Sequence, residues 1–234
     1  KMLELGRKLG ITTWEDSSRF GLSLTLGGGE VKMTDLAVVY ATLANYGKKV
    51  PLTPILEVKD WRGKVLQRRG LGKMGCLAER AISAETAFQI LDILKDNQAR
   101  ASAFGTHSLL VIPNHPEIAV KTGTTNNLRD NWTIGFNQNY LVAAWVGNND
   151  NTPMSWIASG VTGATPIWHK IMRGLVDGTP SRSWEAPRGL VKVPICPSTG
   201  TLPCEGCTGV PEWFKEGTEP KQACTFTASV ETQI

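Results

Sequence analysis

Apolar positions recur with two periods along this chain. The period-two stretches cluster in the middle. Ile118-Ala119-Val120 is a short buried-type run that stops abruptly at Lys121-Thr122-Gly123-Thr124-Thr125. Trp132, Ile134 and Phe136 then alternate as one face of a strand. After the turn cluster Asn137-Gln138-Asn139, residues Tyr140 to Gly147 run almost uninterruptedly apolar, the mark of a strand covered on both faces. Short connections favour antiparallel neighbours. The pattern predicts consecutive antiparallel strands at 117–124, 131–137 and 140–147.

Helical spacing flanks this block. Leu36, Val39, Tyr40 and Leu43 mark one face behind an expected N-cap at Thr34, with Asp35 in the first turn and Gly47 as the stop. Ser83 is expected to cap a second helix, with Ala87, Ile90, Leu91 and Leu94 on one face and an end near Asn97. Thr165-Pro166 reads as N-cap and first helical residue. Ile167, Trp168, Ile171, Met172 and Leu175 follow as a stripe that Gly178 ends. This helix, at about 166–176, is expected to pack on the sheet. Ile55–Val58 and Lys64–Leu66 flank Asp60-Trp61-Arg62-Gly63 as a hairpin. Residues 11–32 and 70–80 read as irregular. Gln98 to Glu117 reads as a long connection at the mouth of any cleft beside Lys121. The fold class expected is α/β in the broad sense (α+β), an antiparallel sheet packed against helices. Seven of the 13 prolines lie beyond residue 178, so 1–178 is read as one domain and 179–234 as a tail with little regular structure.

Composition changes this picture little. The chain is 41% hydrophobic and 20% charged, enough for a proper core. The net charge of +4 is scattered, with Arg68-Arg69 the only basic doublet near Lys64 and Lys73, so no nucleic-acid partner is expected. No window holds about 18 apolar residues, and no signal peptide is evident. Gly27-Gly28-Gly29 is not followed by Gly-Lys-Ser/Thr, which argues against a phosphate cradle.

Four of five cysteines follow residue 190, which points to an oxidising compartment. Cys196, Cys204, Cys207 and Cys224 allow three disulfide pairings, and Cys204-x-x-Cys207 also has zinc-type spacing. Cys76 stands alone and reads as an ordinary cysteine. His107, His115 and His169 show no metal spacing and are expected at the surface.

The site candidate is the end of the first strand of the block. Lys121 offers a positive charge, Thr122, Thr124 and Thr125 offer hydroxyls for a carboxylate, and Gly123 allows close approach of a ligand backbone. Lys-Thr-Gly alone is a weak signal and needs context.

The context is Val120-Lys121-Thr122-Gly123-Thr124-Thr125, then Arg129-Asp130-Asn131-Trp132, Ile134-Gly135-Phe136 and Trp145-Val146-Gly147-Asn148-Asn149-Asp150. This order resembles the transpeptidase domain of penicillin-binding proteins, closest to the bifunctional class A enzymes, whose third motif is Lys-Thr-Gly. The resemblance runs from about Gly21 to Cys224. It implies a serine β-lactamase-like fold and acyl transfer on D-Ala-D-Ala stem peptides of peptidoglycan, with β-lactams as mimics. It implies a setting on the outer face of the bacterial cytoplasmic membrane, through an anchor absent from this chain. No cofactor and no metal are implied. Lys121 would hold the hydroxyl of the S-x-N motif and lend positive potential. Thr122 and Thr124 would bind the terminal carboxylate, with Thr125 beside them. The Thr124 N–H would be one oxyanion donor, and Gly123 would admit the substrate backbone. The tail resembles a family tail in Ile195-Cys196-Pro197-Ser198-Thr199-Gly200, Glu212-Trp213-Phe214 and Gly217-Thr218-Glu219-Pro220. That likeness favours disulfides and implies a Cys207–Cys224 pair.

The chain departs from the family at the nucleophile. None of its serines has Lys three positions on or Asn two positions on. Lys1–Leu9 reads as a helix already under way, so the expectation is a piece beginning just after S-x-N, inactive alone. A D,D-carboxypeptidase or serine β-lactamase-type hydrolase is the alternative within enzymes. A non-catalytic peptidoglycan-binding module that kept the carboxylate pocket is the alternative outside them.

Overall fold

Ala119 and Val120 are adjacent in sequence and point into different cores, which fixes the layering of the molecule. The computed structural model describes residues 1–68, 78–154 and 162–225. Strands β5 (Ala119–Thr124), β6 (Asp130–Phe136) and β7 (Leu141–Gly147) form an antiparallel sheet in that order. The register pairs Val120 with Gly135 and Trp132 with Trp145. The expected three-strand block is therefore present, each strand within two residues of its predicted bounds.

Helix α5 (Ala164–Val176) covers one face. Its Trp168, Met172 and Val176 pack with Val120, Val142, Ala144, Leu110 and Ile112. The opposite face meets α2 (Met33–Ala44) and α3 (Ala84–Lys95). There Leu43, Ala87 and Leu91 pack with Ala119 and Phe136, joined by Tyr40 and Trp184. Gly135 lets α5 approach: a Cβ there would run into the Trp168 indole. Alternation in β6 alone suggests a half-solvated strand, yet both faces are covered. The face carrying Asn131, Thr133 and Gly135 lies under α5.

Several helix ends differ from expectation. Helix α2 begins at Met33 with Lys32 at the N-cap, so Thr34 is not the cap. Asp35 is instead buried, accepting from the Thr12 N–H and hydroxyl at 2.7 Å each. Ser83 does cap α3, accepting from Thr86 N–H at 3.2 Å. The connection after it is not all loop. Asp96 caps α4 (Asn97–Phe104) by accepting from the N–H groups of Gln98 and Ala99. Helix α5 starts two residues before Pro166, with Gly163 at its N-cap and Thr165 buried inside.

Helix α1 (Met2–Leu9) ends at Gly10 in the left-handed conformation, and Ile11, Trp14 and Leu24 form a third small core. The predicted hairpin is β2 (Glu57–Lys59) with β3 (Val65–Arg68). Short strands β1 (Lys48–Lys49) and β4 (Glu79–Arg80) pair, so residues 79–80 are regular; the rest of the 70–80 expectation, and Cys76, lie almost wholly outside the described residues. His107 is exposed, as expected; His169 is half-buried, its Nδ1 2.7 Å from the Leu109 carbonyl oxygen. His115 is not at the surface. It is buried beside Glu117, its Nδ1 2.9 Å from Oε1. The Ser181 hydroxyl donates to Glu117 Oε2 at 2.6 Å, and the Trp184 indole N–H donates to the Glu117 carbonyl at 2.7 Å. Among the described residues no helix is long and apolar enough to cross a membrane.

The chain divides into two compact units, Lys1–Trp184 and Glu185–Ile234. The second is more regular than the prolines suggest. Strands β8 (Leu190–Ile195) and β9 (Val210–Lys215) pair antiparallel from Leu190 opposite Lys215 to Ile195 opposite Val210. Its disulfides are Cys196–Cys207 and Cys204–Cys224, which corrects the expected Cys207–Cys224 pair. Register is the reason. Pairing of Ile195 with Val210 brings Cys196 beside the residues that lead into β9. A parallel bridge between Leu202 and Ala223 brings Cys224 beside Cys204. The sulfurs of Cys196, Cys207 and Cys224 lie within 4.8 Å of one another, so the two bridges are stacked.

Candidate functional site

β5 changes character halfway along. Ala119 and Val120 are buried, whereas Lys121 and Thr124 are exposed and Thr122 and Gly123 half-buried. It has a strand neighbour on one side only among the described residues. Hydrogen bonds define the other edge. The Val120 carbonyl accepts from Arg100 Nη1 of α4 at 2.9 Å, so it points away from β6. In an antiparallel ladder residues two apart point the same way. The backbone groups of Thr122 and Thr124 therefore lie on the open edge, and those of Lys121, Gly123 and Ala119 face β6. Arg100 closes this edge at Val120. Its burial pushes the guanidinium below its ordinary pKa, with Asp96 opposing.

Side chains divide the opposite way. Lys121 and Gly123 share the α2–α3 face with Trp132 and Ile134; Thr122 and Thr124 share the α5 face with Asn131 and Thr133. Lys121 Nζ donates to the Thr122 carbonyl at 2.6 Å. A Cβ at Gly123 would sit 3.7 Å from Trp132 Cβ, an ordinary contact, so no described residue of this chain demands glycine there.

Behind the strand stands a polar framework. The Thr125 hydroxyl donates to Asp130 Oδ2 at 3.0 Å and accepts from the Asp130 N–H at 2.8 Å. Asp130 Oδ1 accepts from the Trp145 indole at 2.9 Å. Thr125 is thereby turned towards the β5–β6 turn, away from the open edge. Asn131, wholly buried, donates from Nδ2 to Thr124 Oγ1 at 3.1 Å and accepts at Oδ1 from the Ala164 N–H at 2.6 Å. Thr133 and Thr165 hydroxyls meet at 2.8 Å. Asn131 and Thr133 dock the first turn of α5 onto the sheet, which is why α5 needs no capping side chain of its own.

Lys121, Thr122, Gly123 and Thr124 thus form one open strand edge, and Thr125 sits just behind it. The four cysteines belong to the second unit, where they are paired in its two disulfides. Sequence reasoning passed over Arg100, Asp130 and Asn131 as site-shaping residues. For Asn131 there was a signal: a polar residue alternating with Trp132 inside a strand whose other face also had to be covered.

Comparison with known proteins gives the family. Residues 6–173 match the family model described as penicillin binding protein transpeptidase domain, and 186–227 match that described as penicillin-binding protein 1A, C-terminal domain. Penicillin-binding protein 1A of Aquifex aeolicus is 29% identical over 96% of this chain and 29% of its own length. Penicillin-binding protein 2D of Bacillus subtilis is 31% identical over 96% of this chain and 31% of its own. The chain therefore spans less than a third of these relatives. The crystal structure of penicillin-binding protein 1A from Haemophilus influenzae superposes with a TM-score of 0.75 over 95% of this chain and 37% of that one, at 24% identity. PonA1 from Mycobacterium tuberculosis in complex with penicillin V gives 0.59 over 79% of this chain and 51% of that one, at 22%. With a transpeptidase model matched across most of its length and the open Lys-Thr-Gly edge in place, this chain belongs to the penicillin-binding protein transpeptidase family.

Proposed function

We propose that this chain is one wall of the active site of a longer peptidoglycan D,D-transpeptidase, acting outside the cytoplasm. The observation that carries the reading is the open edge of β5. It presents the backbone groups of Thr122 and Thr124 beside the exposed Lys121. An extended D-Ala-D-Ala peptide can add to such an edge as a further strand. Its terminal carboxylate then meets the hydroxyls of Thr122 and Thr124, and the scissile carbonyl oxygen meets the Thr124 N–H. A serine outside this chain attacks that carbonyl, terminal D-Ala leaves, and an acceptor amine takes the acyl group. β-Lactams react at the same serine as stem-peptide mimics. Lys121 exchanges its contact with the Thr122 carbonyl for one with the S-x-N hydroxyl of the longer protein. Thr125 supports the wall through Asp130 and does not touch substrate. Residues up to about 178 belong to this catalytic domain, and those beyond it to a tail. A membrane anchor lies elsewhere in the longer protein.

Acylation of the longer protein by labelled penicillin tests this. Lys121→Ala should lower the acylation rate by about 10²–10³, the usual cost of one preorganised electrostatic group. Unchanged acylation would reduce Lys-Thr-Gly to the end of a strand. Residues 1–234 alone should form no penicilloyl adduct. A covalent shift in the mass spectrum mapped to any serine within them would refute the assignment of the nucleophile to another part of the protein.

A further inference from the structure

We infer that Asn131 is a positioning residue that sets the hydrogen-bond polarity of the carboxylate subsite, by holding the Thr124 hydroxyl with its proton turned outward. The inference rests on the reading of Thr124 as a carboxylate contact. Donors and acceptors around Asn131 leave one arrangement. A backbone N–H can only donate, so the Asn131 atom 2.6 Å from the Ala164 nitrogen is the amide oxygen. That fixes the flip of the amide. The other end, 3.1 Å from Thr124 Oγ1, is then the NH₂ group, which can only donate. Thr124 Oγ1 therefore accepts from Asn131, and the one proton of this hydroxyl cannot point back at it. Thr124 is exposed on the open edge, and no acceptor among the described residues takes its proton, which leaves it for a ligand there. A carboxylate offers only acceptors and suits such a proton; a ligand group that must donate does not.

Asn131 is held where it needs to be. It is wholly buried, so its amide does not exchange partners with solvent. Its neighbour Gly163 leaves room for it: a Cβ at that position would lie 2.6 Å from Asn131 Oδ1. Cross-strand pairing with Thr124 keeps the two side chains on one face.

Asn131→Asp tests this in the longer protein. The replacement is isosteric, and one carboxylate oxygen can still accept from Ala164. The other now accepts from Thr124, which turns the hydroxyl proton inward. With a penicillin as acylating agent the second-order rate should fall about 10- to 100-fold, the worth of a hydrogen bond to a charged group. With the carboxamide of the same penicillin it should change less than about threefold. Parallel loss on both ligands would mean a merely structural role and would overturn the inference. Added negative charge alone could also disfavour the acid, so the cycle with Thr124→Val is decisive. In the Thr124→Val background Asn131→Asp should add little. Full additivity would overturn hydroxyl orientation as the cause. If Thr124→Val by itself leaves penicillin acylation unchanged, the carboxylate reading of Thr124 fails instead. Gly163→Ala, which pushes on Asn131 without altering charge, should show the same preference for loss on the acid; should Asn131→Asp not fold, this variant decides the matter, and equal loss on both ligands would again overturn the inference.

Discussion

The two compact units hold themselves together by different means. Residues 1–184 contain every buried hydrophobic residue of the described chain except two. Those two are Cys196 and Cys224, half-cystines of different bridges. The first unit has a sheet with helices on both faces, and its stability comes from apolar area removed from water. The second is too short to enclose such a core, and small units of this kind depend on cross-links. Its hairpin is tied by bridges closing loops of 11 and 20 residues. Size decides which strategy is open to a stretch of chain, and composition follows from that choice.

Reduction should break the contrast most visibly. With both bridges opened, residues 185–225 should lose protection from amide exchange, because each closure contributes about 3 kcal/mol by the chain-entropy account. Helices α2, α3 and α5 should keep theirs. If β8 and β9 stay protected in reductant, the second unit has a core that burial does not reveal. Trp168→Ala is the converse probe. Trp168 is wholly buried between α5 and the sheet. Its truncation should cost about 3–5 kcal/mol, seen as a lower unfolding midpoint of the first unit, with the disulfide-tied hairpin still protected.

A smaller effect concerns Glu117. Burial alone would raise its pKa, but the hydrogen bonds from Ser181 and His115 outweigh burial and hold it below the ordinary value of 4.5. A depressed carboxyl contributes stability above its unfolded pKa and loses it as pH falls through the folded one. Glu117→Gln should therefore cost about 1.5–3 kcal/mol near neutral pH. The gap to the unaltered chain should narrow as the pH drops below about 4. A gap independent of pH in denaturant titrations would assign the cost to packing. Ser83→Ala, removing the α3 cap, should cost about 1 kcal/mol. Smallest of all, Lys121→Ala should shift stability by no more than about 0.5 kcal/mol, since its side chain is exposed and, among the described residues, bonded only to a neighbouring carbonyl. A large loss there would mean the site residue also supports the fold.

What the sequence determined by itself was local and periodic. Alternation at Trp132, Ile134 and Phe136, the apolar run of β7 and the stripe on α5 specified the sheet and its helix, because side-chain direction follows backbone period. The Lys121–Thr124 edge was legible too, since a buried apolar run that ends in a cation and hydroxyls marks where a strand leaves the core for solvent. Tertiary structure decided whatever depended on partners distant in sequence. The cysteine pairing followed from the register of β8 with β9. His115 went inside because Glu117, itself held by Ser181, meets it there. Helix α5 starts early because Asn131, 33 residues before it, accepts from its first turn. Lone polar residues carry no record of the partner that will satisfy them; that partner is chosen only when the chain closes on itself.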